Sequence, residues 1–261
     1  MTSVDMHVDA YLSRIGFSGS PSRSLHVLRS VHTLHLLSVP FENLTVHSGG
    51  RVQLDPPHLY EKLVKNQTTG FYGPPFDHLV VMVTLDGQRW LCDVGFGVPG
   101  FRTPLSLDTR GPQEQGHRVY RITEQRWEGT ENETSGMLFL EWQREENRGE
   151  DGDWTEIFKF TLDPRRMEDY AEMCQFHQSS PCSFFFCKSL CTILTPEGRL
   201  TYIGRRLTTT TFPKEGSVLE TSTRDLQDDE IPGVLKEKFG IVLKSPLIPK
   251  DEPMTLLPVI Y

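Results

Sequence analysis

His78 and Asp93 are the side chains with the strongest claim to chemistry. An imidazole trades protons near neutral pH, and a carboxylate can orient it; together they form the back half of a nucleophile–base–orienter triad. They flank the stretch HLVVMVTLDGQRWLCDVGFG, His78 to Gly97. Two apolar runs, Leu79–Leu85 and Trp90–Val94, lie either side of Asp86-Gly87, the dipeptide that most favours a two-residue turn, so the stretch reads as a β-hairpin. With that turn setting the register, Leu85 faces Gln88, Val80 faces Asp93, and His78 faces Gly95, one diagonal step from Asp93. Alternation puts His78 and Asp93 on one face of the hairpin. Diagonal neighbours stand about 7–8 Å apart, within reach of long side chains. Cys92, next to Asp93, points to the other face opposite Val81 and reads as a buried core thiol. The same geometry also suits a purely structural pair, because acyl chemistry needs a nucleophile as well.

The elements around the hairpin read in order. Tyr11, Leu12 and Ile15 make a short helical face ended by Gly16; Leu25, Leu28, Val31 and Leu34 make a second after Ser22 or Ser24. Asp55-Pro56-Pro57 reads as a helix start with Leu59, Tyr60, Leu63 and Val64 on its buried face. From Val98 to about Leu162 short strands alternate with turns, Arg118–Ile122 and Met137–Trp142 being the clearest, in the pattern of a small barrel or sandwich. Arg144 to Glu156 reads as an exposed acidic loop. Met167 to Phe176 looks helical. Ser183–Phe186, Leu190–Leu194 and Leu200–Ile203 look like strands, with Thr195–Gly198 turning between the last two. Asp229–Pro232 opens a final helix through Phe239, and the Pro-rich tail from Ile241 looks extended.

Composition excludes several classes. The chain has 261 residues, a formal charge of −8 and 37% apolar residues, without a basic, aromatic-interleaved stripe, so it lacks the footprint of a nucleic-acid binder. No apolar run approaches membrane-spanning length, and the N-terminus lacks the pattern of a secretory signal. Five cysteines without such a signal point to free thiols in a reducing compartment. Cys174, His177, Cys182, Cys187 and Cys191 offer metal-ligand side chains, but their spacings match none of the closely spaced pairs of zinc sites. They read as dispersed thiols, and no metal is expected.

Several stretches together resemble the arylamine N-acetyltransferase family: Tyr11–Phe17 (YLSRIGF), Val39–Leu44 (VPFENL), Gly73–Leu79 (GPPFDHL), Cys92–Gly97 (CDVGFG), Phe160–Arg165 (FTLDPR), Ser179–Phe184 (SSPCSF) and Leu194–Gly198 (LTPEG). They run in family order over nearly the whole chain. The resemblance implies an α+β fold in three parts with a cysteine-proteinase-like arrangement. These are an N-terminal helical bundle (1–70, here missing its last helix), a β-barrel carrying His78 and Asp93 (71–162), and an α/β lid with an extended tail (163–261). It implies ping-pong transfer of acetyl from acetyl-CoA, through a cysteine thiolate, to the nitrogen of an arylamine or arylhydrazine. His78 would be the base and Asp93 its orienter. Asp77, His78 and Phe96 would meet the acceptor; Pro74, Pro75, Phe176, Cys182 and Thr255 would meet coenzyme A. Cys182 stands where the family has a hydroxyl residue, and Phe176 where it has an aromatic that usually carries a hydroxyl. A cytoplasmic monomer is expected, without membrane or nucleic-acid partners.

The departure is at the nucleophile. The family carries it in an Arg-Gly-Gly-x-Cys motif between the Leu59–Val64 segment and the Gly-Pro-Pro turn. Here Lys65-Asn66-Gln67 runs straight into Thr68-Thr69-Gly70. Roughly thirty residues are missing, about 45 Å of chain if all helical. A catalytically impaired form is expected, with a coenzyme A or arylamine binding module, or a regulator of an active relative, as the alternative. Loss of a central helix would also expose its neighbours at about 25 cal/mol per Å², against a domain stability of about 5–15 kcal/mol, so a poorly folded N-terminal bundle is expected.

Overall fold

The computed structural model describes residues 28–29, 41–43, 59–64, 70, 72–95, 101–115, 118–125, 136–144, 153–212 and 219–255. The chain divides into two compact units: Gly19–Thr33 with Gln53–Met173, and Met1–Ser18 with Leu34–Val52 and Cys174–Tyr261.

The first of these units is built on one antiparallel sheet. Its strands are β2 (Leu59–Val64), β3 (His78–Leu85), β4 (Gln88–Cys92), β5 (Leu105–Ser106), β6 (Gln113–Glu114), β7 (Arg118–Gln125), β8 (Met137–Arg144) and β9 (Thr155–Phe160), in the order β5-β4-β3-β2-β9-β8-β7-β6. Alternation sends Tyr120 and Ile122 of β7, Leu140 of β8, and Phe158 and Phe160 of β9 into a core shared with Val80, Leu91, Phe101 and Leu105; Ile157, the extra residue where the β8–β9 register shifts, is buried in the same core.

The expected barrel is not closed by a backbone ladder: among the described residues none joins β5 to β6. Two side-chain amides reach across instead. Gln113 accepts from Ser106 N at 2.7 Å and donates to Ser106 O at 2.9 Å, a copy of the pairing a strand would make. Gln115, buried, accepts from the backbone N–H groups of Arg102 and Thr103.

The helix expected over Leu59–Val64 is a strand. β2 lies between β3 and β9, with Tyr60 opposite Val80, Lys62 opposite His78, and Leu63 opposite Lys159. A six-residue segment gains little as an isolated helix, whereas two flanking ladders satisfy its backbone on both sides. Arg144 and Glu156, expected in a loop, belong to β8 and β9; 145–152 lie outside the described residues. So does nearly all of the expected N-terminal bundle, although Leu28 and Arg29 are helical.

The second unit carries a five-stranded antiparallel sheet, β1-β10-β11-β12-β13, from β1 (Phe41–Asn43), β10 (Leu190–Thr195), β11 (Gly198–Ile203), β12 (Arg206–Thr211) and β13 (Glu220–Asp225). A 3-10 turn, Met167–Tyr170, leads into α1 (Ala171–Ser179), which carries the chain into this unit. α2 (Phe184–Cys187) and α3 (Ile231–Phe239) follow. α3 opens with a proline in its first turn and ends at Gly240 in the left-handed conformation. Its Ile231, Val234, Leu235 and Phe239 pack with Cys191, Tyr202 and Leu207 of the sheet.

The strand expected at Ser183–Phe186 is instead the single turn of α2. Its aromatic composition favours a strand, but the amides of Phe186 and Cys187 bond to Ser183 O and that of Lys188 to Phe184 O. The turns at Asp86-Gly87 and Pro196-Glu197, and the final helix, are where the sequence places them.

Candidate active site

The hairpin turn has φ of +51° at Asp86 and +78° at Gly87, the left-handed pair a tight two-residue turn requires. Leu85 therefore pairs with Gln88 and Val81 with Cys92. One position further on, Asp93 leaves the end of β4 opposite the start of β3. His78 Nε2 lies 3.0 Å from Asp93 Oδ1. The His78 ring also stands over Gly95, where an added Cβ would touch Cε1 at 3.4 Å. The diagonal placement deduced from the turn is the one observed.

Asp93 has 2% of its side chain exposed and His78 19%. Gly95 N also donates to Asp93 Oδ1, at 3.2 Å, so the loop after β4 folds back onto the carboxylate. Opposite an ionised carboxylate, which only accepts, Nε2 is the donor, and in a neutral ring the lone pair is then on Nδ1. That is the tautomer a general base needs.

The backbone entering β3 is strained. Phe76 has φ of +60°, unusual for an aromatic residue, two positions before His78. The Tyr170 ring meets it edge-on at 5.5 Å, and the Arg165 guanidinium lies 5.6 Å from its centroid. Pro74 and Pro75 are exposed on the approach, and Asp77 is half-buried. Phe96 lies outside the described residues.

The remaining candidates sit in the other unit and form a group of their own. Phe176, half-buried on α1, meets His177 edge-on at 5.5 Å; His177 in turn meets Phe185 at 4.9 Å and places Nδ1 2.8 Å from the buried Ser183 hydroxyl. Cys182 N donates to Ser180 Oγ, Ser180 N to Phe176 O, and Thr255 N to Pro181 O. Phe176, Cys182 and Thr255 are thus tied to one turn between α1 and α2. The sequence contained each residue but not the chain contacts that gather them.

Of the five cysteines, Cys92 is the one that belongs to the same unit as His78. Cys92 is buried, and burial first, then the charge of Asp93, pushes its thiol up to about 12. Cys187 and Cys191 are buried, Cys182 half-buried and Cys174 exposed, all without disulfides. Among the described residues no three His, Cys, Asp or Glu side chains gather as a metal site.

Comparison with known proteins defines the class. A family model described as N-acetyltransferase matches residues 24–72 and 66–248. The Gallus gallus arylamine N-acetyltransferase, pineal gland isozyme NAT-10, is 29% identical over 281 residues, covering 94% of this chain and 97% of the relative. Human arylamine N-acetyltransferase 1 is 29% identical over 291 residues, with the same coverage. The arylamine N-acetyltransferase of Mycobacterium abscessus has the same fold, with a TM-score of 0.73, 24% identity, and coverage of 93% of this chain and 92% of that one. The chain belongs to the N-acetyltransferase family, in its arylamine N-acetyltransferase branch.

Proposed function

We propose that this chain keeps the base and orienter of an arylamine N-acetyltransferase site but lacks the nucleophilic cysteine, and so does not turn over acetyl-CoA. The observation that carries the reading is the position of its thiols. All five cysteines follow His78 in sequence, and Cys92, which neighbours Asp93, is buried with a raised pKa. Two further findings support it. The family model matches in two pieces that meet at 66–72, where the sequence departs from the family pattern. The relatives align over 281 and 291 residues, more than the 261 of this chain, so they carry positions that it lacks.

In this reading His78 Nδ1 would take the proton of an incoming thiol and Asp93 would hold the imidazole in register. Without a thiol there is no acyl carrier, and the covalent half of the ping-pong reaction is missing. Purified protein incubated with acetyl-CoA and 4-aminobenzoate should give no N-acetyl product, and mass spectrometry should find no acetyl thioester on any cysteine. Turnover that is lost in His78→Ala would overturn the proposal.

A second reading is a coenzyme A or arylamine binding module, or a regulator of an active relative. The gathering of Phe176, Cys182 and Thr255 on one turn favours it. Saturable binding of coenzyme A in calorimetry, without acetyl transfer, supports this reading; no binding favours a non-functional fragment. A cytoplasmic monomer with no metal, membrane or nucleic-acid partner completes the proposal.

A further inference from the structure

The C-terminal tail of the second unit is strapped across the segment that joins α1 to β10. Ser189 N donates to Lys250 O at 2.9 Å, and Lys250 N to Ser189 Oγ at 3.0 Å. Lys188 and Asp251 form an antiparallel bridge, Glu252 N donates to Cys187 O, and Thr255 N to Pro181 O. The Lys250 ammonium donates to Phe186 O and lies 4.1 Å from the centroid of the Phe186 ring.

One side-chain contact locks this ladder in register. Lys188 Nζ lies 2.6 Å from Asp251 Oδ1, with 21% and 37% of the side chains exposed. The carboxylate also lies against Gly204, where an added Cβ would overlap it. Gly204 has φ of +62° and donates its own N–H to Ser189 O at 2.7 Å. The bare backbone of the β11–β12 turn therefore makes room for Asp251, and the same turn holds Ser189, which holds Lys250.

We infer that Lys188 and Asp251, seated on Gly204, are positioning residues that clamp the tail so that Thr255 stands beside Cys182 for coenzyme A. The inference rests on the coenzyme reading of Cys182 and Thr255 given above. Releasing the clamp frees Thr255 to move away from Pro181, so the coenzyme must order the tail at its own cost.

Calorimetric titration of coenzyme A into the full chain tests it, with thermal unfolding of each variant as the check on folding. Asp251→Ala and Lys188→Met should weaken Kd about fivefold, the scale of a partly exposed ion pair, while Lys188→Arg, which keeps the pair, stays within about twofold. Alkylation of Cys182, followed by mass spectrometry, should accelerate in the first two variants while that of exposed Cys174 does not change. Wild-type binding with an unchanged Kd in Asp251→Ala and Lys188→Met overturns the clamp alone. No binding by the wild type overturns the coenzyme reading and with it the assigned role. Unchanged Cys182 alkylation in both variants overturns the clamp whether or not coenzyme binds.

Discussion

His78 starts one strand of a hairpin and Asp93 directly follows the other, and their 3.0 Å contact is a diagonal one set by the Asp86-Gly87 turn. Asp93 Oδ1 serves both His78 and Gly95 N from a side chain only 2% exposed. Asp93→Ala strands two donors and should cost about 1–3 kcal/mol. Chemical denaturation measures it, and an unchanged midpoint would show that the pair contributes nothing to the fold.

Gly87 has φ of +78° and open space around its Cα. Gly87→Ala meets no clash, so its cost is conformational, about 1–2 kcal/mol. A stabilised Gly87→Ala variant would contradict the left-handed turn and, with it, the register that joins His78 to Asp93.

Cys92 gives a pH dependence with a definite sign. In the unfolded chain its thiol ionises near 9.0; in the folded chain it does so near 12, because burial disfavours the thiolate. Below pH 9 both states are protonated and its contribution is fully present. Between 9 and 12 the unfolded state sheds the proton first, so stability falls by about 1.4 kcal/mol per pH unit. The difference between wild type and Cys92→Ala, followed by denaturation from pH 8 to 11, isolates this slope; parallel curves would refute it.

Gly198 starts β11 against the backbone of β12. A Cβ there would overlap the Thr210 carbonyl oxygen, and Thr210 cannot move without breaking the ladder in which Gly198 pairs with Thr211. Gly198→Ala should cost about 3 kcal/mol or more. Thermal unfolding within a degree or two of wild type would mean that the strands separate more easily than this packing allows.

The seam between β5 and β6 rests on Gln113 and Gln115. Gln113→Ala leaves Ser106 N and O without their amide partner, a loss of about 1–2 kcal/mol. Hydrogen exchange at the Ser106 amide should rise well above that of Leu91 in the neighbouring ladder; equal protection in the variant would show that the seam is held by something else.

What the sequence determined by itself was local. Asp86-Gly87 encodes a left-handed turn within two residues, and that turn settles which side chains face one another, so the His78–Asp93 pair was legible before any tertiary contact. That all five cysteines follow His78 was legible in the same way, because order along a chain needs no geometry. The tertiary structure alone decided the strand at Leu59–Val64, whose apolar spacing suits a helix but whose backbone is satisfied by β3 and β9 on its two sides. It alone decided that Ser183–Phe186 winds into α2, that two glutamines bridge the ends of a sheet, and that Thr255 meets Pro181. Each depends on a partner far along the chain. Short segments carry only weak preferences of their own, and the free energy of satisfying buried backbone groups across the fold exceeds them.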